Sequence, residues 1–530
     1  MQLSLLESLP DEVLRQIFRH CDLPTLLQLS ATNRALHEVI TLFLPSCTRS
    51  RYNYDPQTLR HLGFHTRAPV AQRALWAERT TRRWREWDGR GAVIGGAKRE
   101  WRRCLPTLKI WDIEDGVGAV LVAKGRELEC WITRQDGTVE IAQAVVRPPK
   151  RAQSRQVPAL EGAAQHDVTA LAVGPQPGEI IVSRVSGVVQ RLRLVEHAAP
   201  GYPFVLEEVA RYALGSSKSA GESPKTGVHA IHSRADLLVG AVTTRQQPPS
   251  HVGADLPVVN DPRGPIASLA LTLKQRSAAQ SHNVSIQSIS SPWQSAKTIP
   301  FPTKPWSVHL SPFRSWLAVG HSGTAPLSVF QLDSTGAPFT VPSQIAHTSR
   351  STSVYSLTTP SPHSSPFSNS EQTLIAAFYD ATTRVYDLRV PSFGPLSDWD
   401  AHESDAKPPN EVVRLVDPWS DDPCYSVGIG GAMGSYVAVG SARNAAVRLF
   451  DIRSPARPSG ITAFAPGRDR SPIYALEMEG SRVWGCTENR GFVLDFEAFE
   501  APRRRTEPVA YVSHQDGEGG TLRWMGDHRI

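Results

Sequence analysis

Two textures of apolar residues divide this chain. Between Leu9 and His37 the apolar side chains return every three or four positions: Leu9, Val13, Leu14, Ile17 and Phe18, then Leu26, Leu27 and Leu29. That spacing predicts two short amphipathic helices. Ser8 can cap the first, Pro10 suits its first turn, and Asp11 and Glu12 complement its dipole. Asp22 and Pro24 give the start signal of the second. From Leu105 onward the pattern changes to short β-branched runs between turn residues, such as Val168–Val173, Glu179–Ser183 and Ser435–Gly440, which read as strands. A segment of about 40 residues rarely supports a core alone. Each large apolar side chain left in water forfeits roughly 1.5–3 kcal/mol. The helical pair therefore has to dock, either on the rest of the chain or on another protein.

The helical segment reads Leu9-Pro10-x-Glu12-Val13-Leu14-x-x-Ile17-Phe18, followed by Leu26, Leu29, Ser30 and Arg34. In this it resembles an F-box. It departs at the end, where Leu36-His37 stands in place of the family's aromatic residue, and it covers under a tenth of the chain. The resemblance implies that this face binds the Skp adaptor and, through it, a cullin ubiquitin ligase. Leu9, Pro10, Val13, Leu14, Ile17, Phe18, Leu26 and Leu29 are then the adaptor-binding residues. Alanine at Ile17 or Phe18 is expected to weaken adaptor binding by roughly 2–4 kcal/mol. An ordinary helical hairpin packed on its own domain would show the same spacing.

The strand region holds a repeat. Its clearest copies end in Thr383-Arg-Val-Tyr-Asp-Leu-Arg389 and Ala446-Val-Arg-Leu-Phe-Asp-Ile-Arg453. The pairs Tyr386-Asp387, Phe450-Asp451 and Trp111-Asp112 resemble the Trp-Asp of WD repeats. Arg384 and Arg448 lie 64 residues apart, longer than the usual period of about 40–45, with the excess placed in loops. Asp380 and Asn444 stand six residues before the aromatic, Asp136-Gly137 has the same turn form, and Ser186-Gly187 and Asn489-Arg490-Gly491 are weaker versions of it. Such turns favour small or Asx residues that tolerate φ > 0. By the same resemblance His166, His347 and His402 are candidates to hold a turn Asp, with His347 and Asp380 the best placed pair. Seven units fit, at about 108–143, 166–195, 228–289, 305–333, 346–389, 399–453 and 471–496. In the third, strands are expected around Leu237–Val242 and Ile266–Leu273, and Leu105–Asp112 is expected to supply an outer strand to the last unit.

The expected architecture is thus multidomain: a small all-α F-box (1–45), a helical basic linker (46–104), a seven-bladed, WD-repeat-like all-β propeller (105–500) and a C-terminal tail (501–530). Radial stacking of four-stranded sheets leaves only short edges, which is why such repeats close.

Composition agrees. The 530 residues leave room for two or three domains, and 42 prolines and 38 glycines fit a turn-rich β protein. No run of about 18 apolar residues occurs, and the N-terminus carries Glu7, Asp11 and Glu12 rather than a signal peptide's basic and apolar regions. The six cysteines form no CxxC pair, and Cys130 and Cys486 sit in apolar runs that would bury them. The expected location is the cytoplasm or nucleus. The net charge of +6 is uneven: Arg79–Arg103 concentrates basic residues around Trp84, Trp87 and Trp101. Basic residues with interleaved aromatics can bind nucleic acid. A helix over Val70–Trp87, anchoring Trp76, Trp84 and Trp87 on a neighbouring domain, accounts for the same residues and is the preferred reading. Gly215–Gly227 and Thr358–Gln372 are rich in Ser and Pro and read as loops.

No catalytic or cofactor pattern emerges. There is no GxxxxGK[ST] loop and no His-Glu-x-x-His. Gly428-Ile-Gly430-Gly-Ala-Met-Gly434 places its third glycine one residue late for a dinucleotide loop and reads as a turn between strands. Gly320-His-Ser-Gly323 lacks the glycine at 324 that a nucleophile elbow needs. The expected function is recognition: the substrate receptor of an SCF-type ubiquitin ligase, non-catalytic and without a cofactor, with no membrane partner. The target-facing residues are expected just before the inter-strand turns, at Gln135, Val185, His321, Tyr379, Arg443 and Glu488, with His321, Tyr379 and Arg443 chosen for substrate. The alternatives are a Skp-bound scaffold outside any ligase and a nucleic-acid-binding propeller.

Overall fold

The computed structural model describes residues 9–21, 23–32, 36–40, 83–84, 90–94, 107–114, 117–125, 127–133, 139–142, 167–196, 204–214, 225–245, 507–513 and 522–525. It also describes 280–496 apart from 293, 340, 361–369, 391–407, 418–419, 432–433, 454–458, 467–469, 480 and 489.

Helix α1 spans Asp11–His20 and α2 spans Leu23–Thr32. Pro10 occupies the cap position of α1 rather than its first turn, with φ −59° and no side-chain cap. Its carbonyl accepts the Val13 and Leu14 amides at 3.0 and 3.1 Å. The expected capping residue Ser8 and the start signal Asp22 lie outside the described residues. Residues 36–40 are helical again, and Ser30 Oγ meets His37 Nδ1 at 3.0 Å across the connection. Leu14, Phe18, Leu26, Leu36 and Ile40 close a small core, with Leu9, Cys21, Leu29 and Val39 at its margin. The third segment thus gives the first two something to bury against, which two helices alone would lack.

The strands form seven blades, each running outward from an inner strand. Blade 1 is Thr107–Glu114, Val117–Lys124, Glu127–Thr133 and Val139–Ala142. Blade 2 is Val168–Val173, Glu179–Arg184, Val188–Glu196 and Phe204–Ala213; blade 3 is Lys225–Arg234, Leu237–Arg245, Gln280–Ser288 and Lys297–Phe301. Blade 4 is Pro305–Leu310, Trp316–Gly323, Leu327–Gln331 and Ser343–Ala346; blade 5 is Thr352–Thr358, Thr373–Phe378, Thr382–Asp387 and Glu411–Val416. Blade 6 is Cys424–Gly430, Tyr436–Ser441, Ala446–Asp451 and Ser459–Phe464. Blade 7 is Ile473–Glu479, Arg482–Thr487 and Gly491–Asp495, completed from upstream by Arg90–Ile94, antiparallel to Gly491–Asp495.

A separate apolar core lies between each pair of neighbours. Five of them join blades 1 and 2, 2 and 3, 3 and 4, 4 and 5, and 5 and 6. A sixth joins blades 6 and 7. The seventh joins blade 7 to blade 1 through Trp484, Cys486, Leu108, Val120 and Val122. Seven cores between seven blades close the ring. Because both faces of a blade are covered, the second strand buries every residue in four of them, Glu179–Arg184, Thr373–Phe378, Tyr436–Ser441 and Arg482–Thr487. This explains the unbroken apolar runs in the sequence.

Several expectations need correction. Thr107–Glu114 is the inner strand of blade 1, so the outer strand of blade 7 comes from Arg90–Ile94 and not from Leu105–Asp112. Trp111-Asp112 therefore does not share the position of Tyr386-Asp387 and Phe450-Asp451, which end the third strands of blades 5 and 6. In those two blades the Asp turns back on the next arginine, with Asp387 Oδ1 to Arg389 Nε at 2.9 Å and Asp451 Oδ1 to Arg453 Nε at 2.8 Å. Blade 3 is completed by Gln280–Ser288 and Lys297–Phe301; the expected strand Ile266–Leu273 lies outside the described residues. In the tail, Glu507–Ser513 pairs with the outer strand of blade 6 and touches the start of Arg90–Ile94, and Leu522–Met525 pairs with it in turn. Of the glycine run 428–434, residues 428–430 end the inner strand of blade 6, and Gly431 and Gly434, at φ +81° and +63°, lie between it and the second strand.

Of the expected linker helix, residues 83–84 are described and helical. Trp84 is fully buried in the core between blades 6 and 7, stacked 4.6 Å from Tyr436 and 3.9 Å from Phe496. It anchors the linker as expected; Trp76 and Trp87 lie outside the described residues.

Candidate functional site

Among the described residues two surfaces stand out as candidates for binding. The first is on α1. Pro10, Val13 and Ile17 follow one another at i, i+3 and i+7 and so share one face of the helix. Pro10 is exposed, and Val13 and Ile17 keep 42% and 37% of their surface in solvent. Leu9 and Leu29 are half-buried at the margin. Leu14, Phe18 and Leu26, expected on the same adaptor face, are turned inward and fill the core of the three helical segments. Their role is to hold the ridge in shape. The physical reason is helix geometry: an apolar stripe that includes 13, 14, 17 and 18 is wide enough to cover a core on one side and leave a ridge on the other.

The second surface lies at one mouth of the propeller. In six blades the inner strand carries a β-bulge within its first half, which leaves one residue over. The bulges fall between Val168 and Ala170, Val228 and Ala230, Pro305 and Ser307, Val354 and Ser356, Cys424 and Ser426, and Ile473 and Ala475. The residues left over are Thr169, His229, Trp306, Tyr355, Tyr425 and Tyr474. A bulge re-aims one side chain without ending the strand. All six are half-buried, while the residue before each is buried. In blades 4 to 7 this residue is aromatic, and the rings touch in sequence. Trp306 and Tyr355 centroids are 5.0 Å apart, Tyr355 and Tyr425 5.0 Å, and Tyr425 and Tyr474 6.0 Å. Tyr379, from the second turn of blade 5, joins at 5.8 Å from Tyr355. The small residue that follows each ring lets blades meet: Ser307 Oγ donates to the Val354 carbonyl and Ser426 Oγ to the Ile473 carbonyl, both at 3.0 Å.

Polar groups mark the two ends of this crescent. Lys304 Nζ sits 3.8 Å above the Trp306 ring, and burial pulls its pKa below the ordinary lysine value. Glu488 lies near Tyr474 and adds to the upward push that burial gives that phenol. Arg443, 71% exposed, stands 3.6 Å from Asp422.

The expected target-facing residues divide. Tyr379 is 48% exposed and belongs to the crescent, and Arg443 stands in the turn after the second strand of blade 6, the place Tyr379 holds in blade 5. His321 is a correction: it is only 7% exposed, its Nε2 meets Ser328 Oγ at 2.9 Å and its Nδ1 meets Thr303 Oγ1 at 3.2 Å. Burial lowers its pKa, so it is a neutral structural histidine. Val185 is exposed, Glu488 is half-buried, and Gln135 lies outside the described residues. Asp380 takes its hydrogen bonds from Thr382 and from Arg384 at 2.6 Å, not from His347; His166 and His402 are outside the described residues. The aromatic tier itself was missed. Its signal is an apolar-aromatic-small triplet at or near the start of four strands, Pro305-Trp306-Ser307, Val354-Tyr355-Ser356, Cys424-Tyr425-Ser426 and Ile473-Tyr474-Ala475.

Deeper in the ring, Lys109 of blade 1 pairs with Glu477 of blade 7, and the His232 and His309 rings lie 4.3 Å apart. Burial drives both histidines to the neutral form, His309 to about 3, helped by the nearby charges of Lys109 and Arg234. Cys130 and Cys486 are buried as expected, and burial pushes both thiols up to about 12. Among the described residues no group of three or more His, Cys, Asp or Glu is placed to hold a metal, and no helix is long and apolar enough to cross a membrane.

The F-box-like family matches residues 6–43. Comparison with curated proteins finds no match. Among solved structures the chain is similar to the beta-propeller domain of Myceliophteria thermophila Cps50 (Swd1), at 9% identity and a TM-score of 0.43, over 76% of this chain and 99% of that one. The propeller rests on the seven blades and the seven cores between them. The chain therefore carries an F-box-like domain over residues 6–43, the module by which proteins generally bind a Skp-type adaptor, followed by a seven-bladed propeller.

Proposed function

We propose that this protein is the substrate-recognition subunit of an SCF-type ubiquitin ligase. The α-helical unit binds the Skp adaptor, the adaptor joins it to a cullin, and the propeller holds a target protein. The observation that carries this reading is the open ridge Pro10–Val13–Ile17 on a unit that already has its own core. A folded module with a satisfied core and an apolar ridge left in solvent gains stability from a partner's surface. The chain contributes no covalent step. Holding a target lysine near a ubiquitin thioester raises its effective concentration, and that is the catalysis.

The anchoring of the linker supports the same division of labour. Trp84 in the core between blades 6 and 7, and Arg90–Ile94 in blade 7, fasten the segment that follows the F-box-like domain to the ring. Trp84 is thereby unavailable for stacking on a nucleic-acid base, which removes one support from the nucleic-acid reading. The test is purification of the tagged chain from cells with the proteasome blocked. The ligase reading expects adaptor, cullin and ubiquitin-modified proteins together. Adaptor without cullin would replace it with a scaffold outside any ligase.

A further inference from the structure

Three features of the aromatic crescent point to one kind of occupant. The rings repeat every 5.0 to 6.0 Å but are tilted by 59°, 55° and 36° to one another, so they form a series of troughs rather than a flat stack. Among the described residues none of the hydroxyls of Tyr355, Tyr379, Tyr425 and Tyr474 makes a hydrogen bond. Lys304 has no carboxylate within ion-pair distance among them, although burial has stripped part of its water.

We propose that the crescent Trp306–Tyr355–Tyr425–Tyr474, with Tyr379 beside it, seats an extended, proline-containing peptide whose acidic residue reaches Lys304. This rests on the target-holding role proposed for the propeller and gives that role a chemistry. A polyproline II segment rises about 3.1 Å per residue, so alternate residues fall about 6 Å apart, close to the repeat of the rings. Its carbonyls have no internal partners, and tyrosine hydroxyls can donate to them. Its pyrrolidine rings suit aromatic troughs, which is how proline-rich ligands are usually held. The charges set direction: the desolvated ammonium is at the blade 4 end and Glu488 at the blade 7 end. A cationic ligand fits poorly, because Lys304 already covers the Trp306 face, Asp380 is tied to Arg384 and Asp422 stands against Arg443. Stacked bases fit poorly because the rings are not parallel.

The test is fluorescence anisotropy of the purified full chain with a fluorescein-labelled peptide of two aspartates followed by six prolines. Saturable binding is expected, and Tyr355→Ala or Tyr425→Ala should weaken it roughly tenfold or more. Lys304→Met should weaken this peptide but not its asparagine counterpart. Phe313→Ala, exposed at the opposite end of blade 4, should change nothing. Should an alanine variant fail to fold by thermal melting, Tyr425→Phe keeps the ring, and loss of the hydroxyl alone should still weaken binding severalfold. Failure to saturate at millimolar chain, unchanged affinity in correctly folded tyrosine variants, or tighter binding of a trimethyl-lysine peptide or an oligouridine would overturn the proposal. The adaptor is absent from this measurement, so its outcome is independent of whether the F-box-like domain captures one.

Discussion

Ile17 and Phe18 are neighbours on one helix and have opposite tasks. Phe18 is fully buried among Leu14, Leu26, Leu36 and Ile40, whereas Ile17 stands on the open ridge. Phe18→Ala should therefore cost the helical unit about 3–5 kcal/mol, seen as loss of its thermal transition. Ile17→Ala should leave that transition within about 0.5 kcal/mol while weakening adaptor binding by about 2 kcal/mol in calorimetry. The sequence pattern named both residues but could not separate them, because the spacing of an apolar stripe gives its width and not which edge is covered. His309 offers a pH prediction. Its folded pKa, about 3, lies below the ordinary histidine value, so the unfolded chain binds the proton more readily. The stability it contributes is full above pH ~6.5 and falls by up to about 1.4 kcal/mol per pH unit as pH drops toward 3. Denaturant melts of the wild type should show this decline between pH 6 and 4, and His309→Gln should make it shallower, leaving the share of the other buried histidines, His232 and His229.

Among elements, Arg90–Ile94 matters most. It closes blade 7 from the N-terminal side while Trp84, six residues earlier, wedges between Tyr436 and Phe496. Trp84→Ala should lower the unfolding free energy of the propeller by about 3–5 kcal/mol, measured by urea denaturation. Little or no change would mean that the strand alone locks the ring. The strand was hidden in the sequence for a physical reason. Arg90-Gly-Ala-Val-Ile94 is a short run inside a basic, tryptophan-rich stretch, and an outer strand needs apolar character on few positions. Blade 3 was obscured in a similar way: Gln280–Ser288 begins with four half-buried or exposed polar residues, so its alternation is weak. Second strands were legible throughout, because burial on both faces forces continuous apolar runs. So were the turns, where Asn444 and Ala445 sit at φ +59° and +47° and Ala381 at +67°.

At the scale of the molecule, the propeller is complete and the helical unit is open. Among the described residues most of the ring's large apolar side chains are buried between its own blades, including the seam from blade 7 to blade 1. The surface proposed for its partner is the aromatic tier at one mouth, a property of the bulge register rather than of any single repeat. That is why seven units could be counted from sequence while the face they build could not: registers of degenerate repeats emerge only once the strands are paired. The helical unit instead presents Val13 and Ile17 to solvent. The most direct measurement is isothermal titration of the full chain with a purified Skp adaptor, wild type against Val13→Asp/Ile17→Asp. The account predicts saturable binding by the wild type and at least about a hundredfold loss in the double variant at an unchanged melting temperature. Equal affinity in both, or no binding by the wild type, would contradict it.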